Sequence, residues 1–138
     1  MKNILIILAL VFTATLVKAQ EGAELDVQPP GPFLEFTVKS NDFGDIEQGD
    51  IVNYVFEFKN TGDAPLVLSN VRTTCGCTAS EWQREPIAAG ESSKIKVTFN
   101  SRGKIGRQNK VITIMSNASN STERVSIITN VLPKKTEE

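Results

Sequence analysis

The feature that most constrains this chain is an alternation of apolar and polar residues that runs into a turn. In residues 54–60, which read YVFEFKN, an aromatic side chain occupies every second position up to Phe58. A period of two is typical of a β-strand with one buried face. Residues 60–63, NTGD, have turn chemistry, because Asn, Gly and Asp accept tight backbone conformations. A second apolar run at residues 66–68 leads to the sequence CGCT at residues 75–78, which contains both cysteines of the chain.

The same alternation recurs along the chain and predicts a β-sandwich. We predict strands at about residues 33–39, 51–60, 66–74, 92–100, 110–116 and 124–132, with turns at residues 41–44 and 47–50. Outside the N-terminal segment no window has convincing helical periodicity. About seven short strands predict an all-β, antiparallel immunoglobulin-like sandwich, with a barrel as the alternative.

The pattern also predicts which side chains form the core. The inward residues of the two clearest strands are expected to be Phe56, Phe58, Ile95, Val97 and Phe99. The turn at residues 41–44 should deliver two more apolar side chains to the core, Phe43 and Ile46. Residues 75–90 are predicted to be a long connection, in which Trp82 covers one end of the core, and an irregularity is expected at Ser69 and Asn70.

The N-terminal 19 residues have the pattern of an export signal. Lys2 supplies a positive start, residues 4–17 are almost wholly apolar, and cleavage is expected between Ala19 and Gln20. The alternative is a membrane anchor, which needs roughly 20 apolar residues, but Lys18 ends this run short. We therefore expect a periplasmic or secreted protein with no stable membrane span after cleavage.

The predicted organisation has one folded domain. Residues 1–19 form the signal peptide, residues 20–32 a flexible Pro-rich arm, residues 33–132 the immunoglobulin-like domain and residues 133–138 a charged tail. The acidic and polar residues of the arm, with three prolines, cannot bury enough apolar surface to fold alone.

Composition argues against several classes of function. The net charge is -1, so the chain lacks the basic face that nucleic-acid binding requires. Histidine is absent, which removes the commonest general base and the commonest metal ligand. No serine stands in a G-x-S-x-G elbow. We expect no enzymatic activity, no cofactor and no catalytic or metal-binding residues.

Cys75-Gly76-Cys77 is the strongest candidate for chemistry, and three interpretations of it remain. A disulfide across one residue requires a turn, which Gly76 permits, and its distorted ring would be easily reduced. Two thiolates would also suit Cu(I), whereas a closed zinc site needs four ligands. In the third interpretation the cysteines are structural, as small buried residues or as a bond that shapes the loop.

Two other patterns have both a functional and a structural interpretation. The carboxylates that precede residue 54 are candidates for calcium ligands, but they lack the alternating spacing of a calcium loop and are better explained as solvated turn residues. These are Asp42, Asp45, Glu47 and Asp50. Residues 117–119 and 120–122 match the Asn-x-Ser/Thr glycosylation pattern, and we interpret them as an exposed polar loop.

The order of motifs resembles a widespread bacterial family of exported proteins, domain-of-unknown-function family 1573. The resemblance rests on FEFKNTGDAPLVLSNV, TTCGCTASEW, EPIAAGESSKIKVTFN and GRQNKVITIMSN, and on DFGDI at residues 42–46. It extends from about residue 33 to residue 131, although Ala88-Ala89-Gly90 stands where the family usually has proline before glycine. The first half is also similar to immunoglobulin-like domains of the major-sperm-protein and cilium-associated type, which are protein-binding or scaffolding modules. The resemblance implies the fold and export, and it implies no activity.

Two functions from different classes follow. The first is an exported, non-catalytic binding or scaffolding domain whose partner is another envelope or extracellular protein, recognised by edge strands or loops. The alternative is a thiol-redox or Cu(I)-handling protein that acts through Cys75 and Cys77. Cysteine reactivity and metal content of the mature protein distinguish the two.

Overall fold

The computed structural model describes residues 29–76 and 78–136. Within them the chain forms eight β-strands and no helix. The strands are β1 (Leu34–Phe36), β2 (Ser40–Glu47), β3 (Ile51–Asn60), β4 (Leu68–Thr73), β5 (Thr78–Trp82), β6 (Ser92–Asn100), β7 (Gly106–Ser116) and β8 (Thr122–Leu132). The predicted signal peptide, its cleavage site at Ala19 and Gln20, and Cys77 lie outside the described residues.

The strands form two four-stranded sheets. The first sheet has the order β1-β3-β6-β5 and the second has the order β2-β8-β7-β4. All neighbouring pairs are antiparallel except β2 and β8, which are parallel. Lettered in chain order with β2 as an extension of the first strand, this is the immunoglobulin arrangement of strands A, B, E and D opposite C, F and G. The predicted immunoglobulin-like sandwich is confirmed.

Both sheets contribute to one apolar core. The five residues predicted to point inward from β3 and β6 are all buried. Phe43, Ile46 and Trp82 are partly buried and pack against the core, as predicted. The second sheet covers the aromatic side chains of the first with β-branched residues, which suit a pleated, half-buried surface. Its buried members include Ile112, Ile114, Val125, Ile127 and Val131.

The first predicted strand is shorter than expected, since β1 ends at Phe36, and a further strand, β2, follows it in the other sheet. β1 pairs with β3, whereas β2 pairs with β8 across the sandwich. The turn predicted at residues 41–44 is therefore wrong, because these residues lie inside β2. Gly44 has φ 69° and the register shifts between Asp42 and Asp45. The turn-like composition thus marks a bulge within a strand.

Two other boundaries differ from the prediction. Residues 75–90 are not one long connection, since β5 lies within them; its inward positions include Thr78 and Ser80, so it lacks an apolar alternation. β7 begins at Gly106, four residues before the start predicted at residue 110. The expected irregularity in β4 is confirmed by a register shift between Leu68 and Asn70.

Asn60 fixes one end of the sandwich. Its side chain is fully buried, and its Oδ1 accepts the N–H groups of Phe33 at 3.2 Å and Gly62 at 3.1 Å. Its Nδ2 donates to the carbonyls of Ala64 at 2.8 Å and Ile87 at 3.0 Å. The buried amide is therefore satisfied as donor and as acceptor, as buried polar groups in stable proteins are.

Ser101 fixes the opposite end in the same way. Its buried hydroxyl lies 2.9 Å from the carbonyl of Glu47 and 2.8 Å from that of Asp50. It also accepts the N–H of Gly49 at 2.9 Å. The turn between β2 and β3 is thereby held in place.

Candidate functional site

The candidate site is an unpaired backbone edge on β3. β3 is ten residues long, but β1 pairs only with Phe58, Lys59 and Asn60. Just after β1, the N–H of Thr37 donates the last backbone hydrogen bond on this side of β3, to the carbonyl of Glu57 at 3.1 Å. The chain then crosses to the second sheet as β2. In the described part of the chain no strand pairs with this side of residues 51–55, and we call these residues the open edge.

The open edge presents a regular row of hydrogen-bonding groups. The N–H and C=O of successive residues in a strand point to opposite sides. Because the Glu57 carbonyl points toward β1, the N–H and C=O of Ile51, Asn53 and Val55 also point to that side. The N–H and C=O of Val52 and Tyr54 point toward β6, with which β3 pairs along its length. An unpaired edge of this kind is a template for another strand.

Apolar side chains border the open edge. Ile51 is 59% exposed, Val55 is 40% exposed and Val38 is 43% exposed. These are three of the six large hydrophobic residues that are exposed in the described structure. A cavity of about 290 Å³ lies where the segment that follows β1 turns away from β3. It is lined by Thr37, Val38, Tyr54, Val55, Phe56 and Glu57.

An aromatic pair supports the open edge from the core side. Tyr54 and Phe43 meet edge to face, with ring centroids 6.4 Å apart and an interplanar angle of 84°. Tyr54 also packs against Phe56 at 4.7 Å between centroids. Such contacts stabilise β3 behind its unpaired backbone, because edge-to-face geometry is favourable for aromatic rings.

Charged side chains lie near both ends of the open edge. Near Ile51, a second groove is lined by Gln48, Gly49, Arg102 and Lys134. Beyond Val55, the acidic Glu57 lines the cavity next to Val38. Each end therefore has charges of both signs, since Glu57 is the cross-strand partner of Lys94 and Glu47 and Asp50 flank Gln48 and Gly49.

The outer edge of β1, by contrast, is closed by a side chain. Asn120 Oδ1 accepts the N–H of Leu34 at 3.0 Å, and its Nδ2 donates to the Leu34 carbonyl at 2.7 Å. The same Nδ2 lies 2.9 Å from Glu123 Oε1, and Lys39 Nζ forms an ion pair with Glu123 Oε2 at 2.7 Å. Burial alone would raise the pKa of Glu123, but the hydrogen bonds from Lys39 and Asn120 outweigh it, so this pKa lies below its ordinary value.

Asn117 caps a backbone segment of the other sheet in the same way. Its Oδ1 accepts the N–H of Val67 at 2.7 Å, and its Nδ2 donates to the carbonyl of Pro65 at 3.1 Å. Ala118, between the two capping asparagines, is buried. Residues 117, 119, 121 and 122 are exposed, as expected of an exposed polar loop, but the two asparagines also bond to distant backbone groups. The spacing of three between the asparagines was the available signal, but both bond to residues far away in sequence.

The cysteine motif lies in the connection between β4 and β5. Cys75 is disulfide-bonded. The carbonyl of Cys75 accepts the hydroxyl of Thr73 at 3.0 Å, and its Sγ lies 3.8 Å from Thr78 Oγ1. Since Cys77 lies outside the described residues, the predicted thiol or disulfide site stays a prediction.

Three of the four carboxylates considered for calcium accept a hydrogen bond from within the domain. Asp42 accepts the N–H of Gly44 at 2.8 Å, and Asp45 accepts the amide of Asn130 at 2.8 Å. Asp50 accepts the N–H of Glu47 at 2.8 Å. Within residues 29–76 and 78–136 there is no group of three or more His, Cys, Asp or Glu side chains that could hold a metal ion.

Solved structures with the same fold come from different kinds of protein. A protein of unknown function from Porphyromonas gingivalis W83 has a TM-score of 0.64 at 20% identity; the match covers 73% of this chain and 47% of that one. The ASH/PapD-like domain 7 of human CEP192 has a TM-score of 0.64 at 14% identity, with 78% and 91% covered. The secreted serine protease VesC from Vibrio cholerae has a TM-score of 0.56 at 17% identity, with 75% and 24% covered. These likenesses establish the fold alone, and this chain spans about half the length of the Porphyromonas protein.

Sequence comparison gives the family. No curated protein shows significant similarity to the chain. The described residues include no helix with the length and apolar character that a membrane crossing requires. The model of one family, described as a protein of unknown function, matches residues 34–131, which extend from the start of β1 almost to the end of β8. The chain therefore belongs to the DUF1573 family of proteins of unknown function.

Proposed function

We propose that this domain is a non-catalytic binding or scaffolding module that takes up an extended segment of a partner protein along the open edge of β3. The observation that carries the proposal is the unpaired backbone of Ile51, Asn53 and Val55 beside exposed apolar side chains. Addition of a strand to a sheet edge is an established mode of peptide recognition, in which main-chain bonds give affinity and side-chain pockets give specificity.

The geometry suits such a partner in two respects. Three residues of β3 each offer one donor and one acceptor in the plane of the first sheet. A strand bound there would extend that sheet where β1 leaves it. The cavity between Val38 and Val55 would receive an apolar side chain of the bound segment. Main-chain bonds contribute about 0.5–1.5 kcal/mol each in net terms, so the apolar contacts would be needed for useful affinity.

The proposed place of action is the periplasm or the extracellular space. The apolar run at residues 4–17, followed by the expected cleavage site, supports export. The resemblance to a family of exported proteins supports it as well. The partner is then another envelope or extracellular protein that contains an extended segment.

A matched pair of variants at one residue tests the proposal. Asn53→Pro removes the backbone donor at the centre of the open edge, at a position where the N–H points away from β6 and proline is tolerated. Asn53→Ala also loses the side-chain contact with Thr98 but keeps the N–H. Wild type and both variants are immobilised as mature chains and exposed to the envelope fraction, after equal melting temperatures have been verified.

We expect wild type and Asn53→Ala to retain the same partner and Asn53→Pro to lose it. Retention of that partner by all three proteins would place binding elsewhere on the domain. No specific retention by wild type would overturn the proposed function.

A further inference from the structure

We propose that the open edge selects partner segments in which every second side chain is apolar, so that a bound strand extends the core as well as the first sheet. This inference rests on the proposed function, because it names the class of segment that binds at the same edge. The selected side chains are those that would point between the two sheets, whereas those on the outer face can be polar.

The inner face of β3 is incompletely covered at the open edge. Val52 and Tyr54 point between the sheets, since their register partners on β6 are the buried residues Phe99 and Val97. Both pack against the core but are only partly buried. Side chains that lie opposite each other on paired strands share a face of the sheet. The residues of a bound strand opposite Val52 and Tyr54 would therefore also point between the sheets.

β2 forms the other wall of this space. It contributes Phe43 and Ile46, which are likewise partly buried and pack against the core. Phe43 meets Tyr54 across the two sheets, with ring centroids 6.4 Å apart. A bound strand would occupy the place that the chain vacates when it crosses to the second sheet after Thr37. Its inward side chains would cover the partly buried residues of both walls.

The length of the open edge limits the number of selected side chains. Thr37 already bonds to the carbonyl of Glu57, so pairing of a bound strand ends at Val55. Two inward side chains, opposite Val52 and Tyr54, therefore fit along this edge, and they stand two positions apart in the bound segment.

The energetics of strand addition favour apolar side chains at these two positions. Main-chain hydrogen bonds replace bonds to water and contribute little net free energy. Apolar side chains that cover Val52, Tyr54 and Phe43 would be removed from water together with them, and this removal is the dominant favourable term in most protein association. A polar side chain in the same place would lose its hydration beside aliphatic and aromatic groups, which is unfavourable unless it finds a hydrogen-bond partner.

Two peptides of identical composition test the inference. Acetyl-Ser-Thr-Val-Thr-Val-Thr-Ser-amide has both valines on one face of a strand, whereas acetyl-Ser-Thr-Val-Val-Thr-Thr-Ser-amide has one valine on each face. Each peptide is titrated into the mature chain, and NMR follows the backbone amides of residues 51–55 and the ring of Tyr54, the single tyrosine of the chain. We expect the alternating peptide to bind about tenfold more tightly and to shift the signals of Val52, Tyr54 and Phe43.

Variants of the domain locate the preference. Val52→Thr should reduce it, because the substitution places a hydroxyl on the inner face at nearly the same volume. Val111→Thr is the matched control, since Val111 is a partly buried valine of β7 in the second sheet, and it should leave the preference unchanged. Asn53→Pro should abolish binding of the alternating peptide.

Equal affinity of the two peptides would overturn the inference, as would a preference that Val52→Thr leaves intact or a failure of both peptides to bind. These outcomes are distinct from failure of the proposed function, which is judged by capture of an envelope partner. If that capture remains sensitive to Asn53→Pro while the peptides show no preference, the proposed function stands and the open edge binds segments without regard to their apolar period.

Discussion

The two halves of the outer edge of β3 differ sharply, although they belong to one strand. Along residues 57–60 the backbone is covered by β1 and Thr37, and Phe58 is 1% exposed. Along residues 51–55 the backbone is open and the apolar side chains beside it face solvent. The boundary is set at Thr37, where the chain stops following β3 and crosses to the second sheet. A sheet switch by the first strand therefore creates the candidate site.

This division separates stability from recognition. The covered half has aromatic contacts, including Phe36 and Phe58 with ring centroids 5.5 Å apart, and its closing strand is itself capped by Asn120. The open half contributes two exposed aliphatic side chains, whose burial would be gained only on binding. Changes in the open half should therefore affect association more than folding.

The largest effect should come from Phe58→Ala in the covered half. Removal of a buried phenylalanine costs about 3–5 kcal/mol, a large share of the roughly 5–15 kcal/mol by which domains are stable. Val55→Ala, three residues away on the open half, should change the free energy of unfolding by only about 0.5 kcal/mol. Denaturant unfolding of the two variants measures the difference, and equal midpoints would contradict the division of β3 into two halves.

Asn120→Ala should have an intermediate effect by uncapping β1. The substitution leaves the N–H and C=O of Leu34 without their side-chain partner, at a cost of about 1–3 kcal/mol. Hydrogen exchange of the Leu34 amide should accelerate, because that donor is bonded to Asn120 Oδ1. Ser121→Ala is the matched control, since Ser121 is exposed in the same loop. Unchanged exchange at Leu34 in Asn120→Ala would show that the cap does not protect this edge.

The sequence predicted the parts of this structure that depend on local alternation. β3 and β6 and their five inward residues were predictable, because a period of two determines which face of a strand is buried. The irregularity at Ser69 and Asn70 was predictable for the same reason, since it interrupts a period. The strand β5 was not, because an edge strand with Thr78 and Ser80 on its inner side has no apolar period.

The open edge could not be predicted, because it depends on where one strand leaves another. Residues 41–46 contain Gly and Asp, which indicate a turn by composition but occupy a bulge in a strand that pairs with β8. The capping role of Asn120 depends on Leu34, 86 positions earlier in the chain. Local sequence supports an estimate of burial, but pairing partners so far apart are set by the assembled sandwich.

The smallest effect should come from the charge of Glu123, which ties Asn120 to Lys39. Because its pKa is lowered in the folded protein from the ordinary value of 4.5, the ionised group stabilises the fold above that pH, and the contribution is lost as the pH falls through the folded pKa. Lys39 is 57% exposed at its side chain, so the ion pair is screened by solvent and should contribute less than about 1 kcal/mol.

Glu123→Gln keeps an oxygen toward Asn120 and removes the charge. Unfolding free energies of wild type and Glu123→Gln should differ at pH 7 and converge at about pH 3, below the ordinary carboxyl pKa. A difference that is the same at both pH values would assign the role of Glu123 to its shape alone, and the cap of the covered half would then be independent of charge.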